Sequence, residues 1–116
     1  MPSERVGRLL DTLGDGRARE ILAAVSEEPQ SAKELTAALD VSLPTVYRRL
    51  DDLKAAGLVS ARTTVAADGN HYERYSSTFE ELSVHLGEDG FAVDIQGEAD
   101  VADRFSDLWE ELRDDG

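Results

Sequence analysis

Residues 42–59 read SLPTVYRRLDDLKAAGLV, and the reading of this stretch decides the fold. Ser42 suits a helix N-cap, and Pro44 falls in the first turn, where a missing N–H costs nothing. Val46, Leu50 and Leu53 recur at +4 and +3, so they share one face of a helix that Gly57 can terminate. At 100° per residue, Pro44, Thr45, Arg48, Asp51 and Asp52 point away from that stripe, with Tyr47 and Arg49 on opposite flanks. The Arg48-Arg49 pair leaves two readings open. It is a solvated face balanced by Asp52 at i+4 or i+3, or it grips something negatively charged.

Working upstream, Ser31-Ala32-Lys33-Glu34 has the S-x-x-E form of a capping box and opens a short helix carrying Leu35 and Leu39. Asp40-Val41-Ser42 is then the turn between two helices. Before Pro29, Ile21, Leu22 and Val25 mark a helix from about residue 17 to 26. Val6, Leu10 and Leu13, with Leu9 alongside, mark a first helix ending at Gly14-Asp15-Gly16. Downstream of Gly57 the period changes to two. Residues 58–65 read as a strand, Ala67-Asp68-Gly69-Asn70 as a turn with Gly69 and Asn70 at positive φ, and residues 71–76 as the returning strand. Leu82, Val84 and Leu86, then Glu88-Asp89-Gly90, then Phe91, Val93 and Ile95 predict a second hairpin. After Gly97, Val101, Phe105, Leu108 and Leu112 repeat at +4, +3 and +4 and predict a closing helix.

Composition narrows the function classes. The 116 residues suit one domain, and 41% hydrophobic residues with clear periodicity exclude a disordered acidic chain. The net charge is −13, from 25 acidic and 12 basic residues, of which only Lys33 and Lys54 are lysines. The loading is uneven: residues 1–41 carry −3, residues 42–75 carry +1, and residues 76–116 carry −11. Acid-rich, lysine-poor surfaces resemble those of cytoplasmic proteins from salt-loving archaea, where a Debye length of about 3 Å at molar salt screens self-repulsion. An acidic mesophilic protein is the alternative. No apolar run approaches a membrane span, and the polar N-terminus lacks a signal-peptide core, so a cytoplasmic protein is expected.

The order helix, helix, helix-turn-helix, hairpin resembles a winged helix-turn-helix domain of the ArsR-like family of prokaryotic transcription regulators, of haloarchaeal type. The resemblance covers about residues 17–77. It is most specific in Ala32…Leu39-x-Val41-Ser42…Thr45-Val46-x-Arg48-x-Leu50…Leu53…Gly57-Leu58-Val59. The resemblance implies that the outward face of the 43–56 helix enters the DNA major groove and that the 58–76 hairpin, the wing, lies on the backbone or in the minor groove. Arg48 is then the expected base reader, because a guanidinium can grip guanine O6 and N7 together. Thr45 would touch a thymine methyl or a phosphate, Pro44 shares that face, and Ser42, Tyr47 and Arg49 would hold phosphates. Arg62, Thr64, Asn70, His71 and Arg74 are the expected wing contacts. Asp68 at the tip reads as serving the turn.

The terminal helices point to assembly. Val6, Leu10 and Leu13 on the first, and Val101, Phe105, Leu108, Trp109 and Leu112 on the last, form seams expected to make a homodimer. The absence of cysteine excludes thiolate metal sites and disulfides, and His71 and His85 fall on different predicted strands. No nucleophile–base spacing or phosphate-cradling loop is present, so neither an enzyme nor a cofactor is expected.

The expected fold class is α+β, mostly α: a winged helix-turn-helix domain over 1–77, then a β-hairpin and C-terminal dimerisation helix over 78–116. The expected function is a homodimeric, sequence-specific regulator on double-stranded promoter DNA, without membrane contact, with salt cations bridging protein and phosphate. The alternative is a winged-helix protein-interaction module that uses its acidic C-terminal third.

Overall fold

The computed structural model describes residues 3–97. Four helices lead: α1 (Ser3–Leu13), α2 (Gly16–Glu27), α3 (Ala32–Leu39) and α4 (Leu43–Ala55). A two-residue strand, β1 (Gln30–Ser31), sits between α2 and α3. Four strands of seven residues follow: β2 (Val59–Val65), β3 (His71–Ser77), β4 (Glu81–Gly87) and β5 (Gly90–Gln96).

Local chemistry sets the helix boundaries. Asp15 caps α2 by accepting from the Ala18 N–H at 2.9 Å. Ser31 and Glu34 close both halves of the capping box at α3. Ser42 caps α4, and Pro44 lies in its first turn. Between α3 and α4 the chain turns through Asp40, whose φ of 53° is the one positive value at a non-glycine residue among those described. Aspartate tolerates this left-handed conformation because its side chain is short and polar. At the far end of α4, Gly57 takes φ +79°, its N–H donating to the Lys54 carbonyl and that of Leu58 to Leu53. These bonds satisfy carbonyls the helix leaves open and turn the chain into β2.

One apolar core joins these elements. Leu9, Ile21, Leu35, Val46, Leu50, Leu53 and Leu58 are fully buried in it, so the stripe that reads as one helix face on α4 is the face pressed against α2 and α3. Val6 belongs to the same core, while Leu10 and Leu13 pack at its edge, half-buried. The first helix therefore spends much of its apolar seam on its own chain.

Two sheets follow. β1, β3 and β2 form an antiparallel sheet in that order, with Gln30 opposite Tyr75 and Arg62 opposite Arg74. β4 and β5 form a separate two-stranded sheet closed by Glu88-Asp89. Its base reaches the common core through buried Val93 and half-buried Leu82 and Ile95.

The expected fold class is corrected here. Beyond α4 the described chain is β throughout, from β2 to β5, so it is an α+β winged helix-turn-helix fold with extra strands in its C-terminal region. The described chain closes on β5, not on a dimerisation helix, and Val101, Phe105, Leu108, Trp109 and Leu112 lie outside the described residues. The physical reason lies in the period-two alternation between residues 58 and 95, which gives the C-terminal half its sheets. The wing turn also departs from expectation in one detail: Gly69 has φ +85°, whereas Asn70 is not left-handed.

Candidate nucleic-acid interface

Helix α4 presents Pro44, Tyr47, Arg48, Asp51 and Asp52 to solvent, as its apolar spacing demands, with Thr45 half-buried. The first turn is largely occupied with itself. Ser42 Oγ accepts from the Thr45 N–H at 3.4 Å and donates to Thr45 Oγ1 at 2.9 Å.

The two adjacent arginines part company. Arg48 is exposed and forms no ion pair with any described residue. Arg49 is 26% exposed and is held internally, its Nε donating to Asp15 Oδ1 at 3.0 Å and its Nη1 lying 3.6 Å from Asp52. Asp15 thus serves twice, capping α2 and anchoring α4 from 34 positions away in sequence. The donated Ala18 N–H, followed by the Arg49 charge, holds its carboxyl below the ordinary aspartate value against the opposing effect of burial. Asp52 therefore pairs with Arg49, leaving Arg48 outside the cluster.

The wing has two distinct faces. On one, Arg62 lies opposite Arg74 and Thr64 opposite Tyr72, a basic and aromatic surface. Arg74 is partly committed, 3.7 Å from Glu34 and with its guanidinium 5.8 Å from the Tyr72 ring centroid. Arg62 makes no ion pair with a described residue. On the other face, Tyr75 is buried and donates its hydroxyl to Glu73 at 3.0 Å. Burial first, then that bond and the nearby negative charges, push the phenol up to about 12. At the tip, both Asp68 carboxylate oxygens are engaged by Asn70, one by its N–H and one by its side-chain amide, each at 3.0 Å. His71 is exposed at the foot of that turn, paired across the strands with Val65.

Between the wing, Tyr47 and the start of α3 runs an open groove of about 580 Å³. Lys33, Tyr47, Asn70, His71, Tyr72 and Tyr75 line it, together with the carboxylates of Asp68 and Glu73. Sequence reasoning missed Lys33 and Tyr72. Tyr72 shares strand parity with Arg74, which was a readable signal, whereas only the folded chain brings the α3 start beside the wing. Among the described residues no group of three His, Cys, Asp or Glu is placed to hold a metal. No described helix is long and apolar enough to cross a membrane.

Comparison with known proteins agrees with this geometry. A family model described as a helix-turn-helix domain matches residues 13–61, from the end of α1 into β2. No curated protein matches the sequence. Among solved structures, reduced HlyU from Vibrio cholerae is 25% identical with a TM-score of 0.56, over 65% of this chain and 74% of that one. NolR from Sinorhizobium fredii is 24% identical with a TM-score of 0.56, over 66% and 71%. A homodimeric winged helix-turn-helix DNA-binding domain from Mycobacterium bovis, described as a possible ArsR-family transcriptional regulator, is 22% identical with a TM-score of 0.55, over 96% and 80%. These organisms lend nothing to a haloarchaeal origin. In fold the chain is a winged helix-turn-helix domain similar to these three solved structures, and the family model it matches is that of a helix-turn-helix domain.

Proposed function

We propose that this chain is a sequence-specific DNA-binding transcription regulator that acts as a homodimer, with α4 in the major groove and the β2–β3 wing along the backbone. The observation that carries this reading is Arg48: an exposed guanidinium on the outward face of the second helix of the pair, while its neighbour is tied to Asp15. An unengaged fork of N–H donors can meet guanine O6 and N7 without first breaking an internal pair. Pro44, Thr45 and Tyr47 flank it on α4, and Ser42 N-caps the same helix. Arg62, Thr64, Asn70, His71 and Arg74 supply the wing contacts, with Arg62 the more available of its two arginines. Arg49 contributes by fixing α4 rather than by reaching a phosphate. The homodimeric state of the Mycobacterium bovis domain supports a two-fold assembly, which would set two α4 helices about 34 Å apart on one face of the duplex.

The net charge of −13 gives this binding an unusual salt response. A basic repressor loses affinity with a slope near −0.9 per neutralised phosphate against log salt. Here Asp51, Asp52, Asp68 and Glu73 surround the basic residues, and cations taken up between carboxylate and phosphate would flatten or reverse that slope. A salt-loaded cytoplasm is the setting this charge pattern suits.

The test is binding of Arg48→Ala to duplexes that the native protein selects from a random pool. The loss expected is about 1–3 kcal/mol, with relaxed preference at one base pair per half-site. Unchanged affinity and preference would remove α4 as the reading helix and favour a protein-interaction module. A KCl titration with a steep fall in affinity would remove the cation-uptake element.

A further inference from the structure

The groove beside the wing arises from the shortness of β1. That strand pairs only through Gln30 with Tyr75 and Ser31 with Arg74, and the chain then turns into α3 at Ala32. Past Arg74, β3 has no neighbouring strand on that edge, so residues of both side-chain parities, Tyr72 and Glu73, line the opening. Tyr47, 46% exposed on α4, lines it as well. The volume of about 580 Å³ falls within the ~300–1,000 Å³ common to small-ligand sites. Tyr47, Tyr72 and Tyr75 are all the tyrosines of the chain, and all three border this one space.

Charge decides what such a space would hold. Glu73 is exposed, accepts the Tyr75 hydroxyl at 3.0 Å and forms no ion pair with a described residue. The Asp68 oxygens are bonded to Asn70, a neutral partner, so neither carboxylate is neutralised. Lys33, at the α3 end, also forms no ion pair with a described residue, which leaves the wing end as the acidic one. The Tyr75 phenol, raised first by burial and then by Glu73, Tyr47 and Asp51, marks surroundings that disfavour added negative charge. These surroundings repel phosphate, even though Tyr47, Asn70 and His71 at the border are proposed contacts to DNA. They attract a cation, and phenol rings favour one with an apolar body over a strongly hydrated metal ion. Two carboxylates match two positive groups held apart. The strand rises about 7 Å from Glu73 to His71, with Asp68 in the turn past it, a separation that an alkyl chain of several carbons can span.

We propose that this groove binds an alkyl diammonium ion, its chain lying against the tyrosines and its two ammonium groups donating to Glu73 and Asp68. The binding requires no DNA and stands apart from the reading of α4. The test titrates the full chain with pentane-1,5-diamine at constant ionic strength and follows the tyrosine ring protons by NMR. Because all three tyrosines border the groove, every tyrosine ring signal reports on it. A saturable shift is expected in the native chain. Glu73→Gln keeps an amide oxygen that can accept the Tyr75 hydroxyl but removes the charge, and it should weaken binding about tenfold or more. Asp68→Asn should weaken it in the same direction. Glu88→Gln, at an exposed carboxylate in the turn of the other hairpin, should leave it unchanged. Magnesium ion, equal in charge but without an apolar body, should shift the tyrosines less at the same concentration. The proposal is overturned by a shift that does not saturate, by magnesium acting as strongly as the diamine, or by Glu73→Gln binding like the native chain. A Glu88→Gln loss as large as that of Glu73→Gln also overturns it, since general attraction to an acidic protein then suffices.

Discussion

The two hairpins are built from strands of equal length, yet they are finished in opposite ways. β2–β3 is anchored by Leu58, Val59 and Tyr75 at its base and becomes polar toward Asp68 and Asn70. β4–β5 is anchored by Val93 and keeps its apolar side out to Leu86 and Phe91, where that side is exposed. A ribbon that is wet at its tip can stand in solvent or against a polyanion. One that exposes apolar side chains on its outer rung calls for a cover. The same period-two alternation therefore serves two purposes, set by which residues occupy the outer rungs.

The sharpest way to break this comparison is to cut the same residue type at opposite ends of the two ribbons. Leu58→Ala removes a fully buried side chain where the wing joins the core and is expected to cost about 2–5 kcal/mol in urea unfolding. Leu86→Ala at the far tip of the other hairpin removes a side chain that touches little of the described chain. Its cost should stay below about 1 kcal/mol, limited to whatever cover the tip has. Equal losses at the two sites would show that the outer hairpin is as integral to the core as the wing base.

A second contrast lies within α4. Arg48→Ala is expected to weaken DNA binding as described above and leave stability within about 0.5 kcal/mol, as for other exposed positions. Arg49→Ala should do the reverse, lowering stability by up to about 1 kcal/mol through loss of a partly exposed pair. The Asp15 end of that pair gives the loss a pH signature. Its folded carboxyl is depressed, so its contribution is present above the unfolded value near 3.8 and fades as pH falls through the lower folded one. Arg49→Ala should accordingly flatten part of the acid limb of a stability–pH profile.

These residues also mark what the sequence could and could not reveal. The capping box at Ser31, the Val46-Leu50-Leu53 stripe and both hairpins were legible because each is written in spacing over a few residues. The strand β1 was not, since two residues have no period and pair only because β3 returns beside them. The Arg49–Asp15 tie joins positions 34 apart, so local reasoning left Arg49 free to hold a phosphate. Val6 read as part of an outward seam, but helix amphipathicity alone does not say whether the apolar side meets the same chain or another. The expected dimerisation helix failed for a related reason: an apolar seam in the sequence does not say what it packs on, and the described fold closes on β5 instead.

The buried end of the wing has its own titration. Tyr75→Phe deletes the hydroxyl bonded to Glu73 and should cost about 0.5–1.5 kcal/mol at neutral pH. Because the folded phenol is raised to about 12 from 10.0, its contribution is complete below pH 10 and is lost as pH climbs toward 12. In an ultraviolet titration of the folded chain, Tyr75→Phe should remove an ionisation step near pH 12.

The smallest expected effect tests the wet end of the same ribbon. Asp68 puts a carboxylate where the proposed wing approaches phosphate, and it also accepts two bonds from Asn70. Asp68→Asn separates these roles, since the amide oxygen still accepts the Asn70 N–H while the charge is gone. Stability should move by no more than about 0.5 kcal/mol, as for an exposed turn residue. DNA affinity should rise less than about tenfold at low salt, and the gain should vanish in molar KCl, where charges more than about 3 Å apart are screened. A gain that persists at high salt points to a direct contact made by the new amide instead. No gain at low salt means that the tip stays away from the backbone, and the wing contacts then narrow to the Arg62–Arg74 rung.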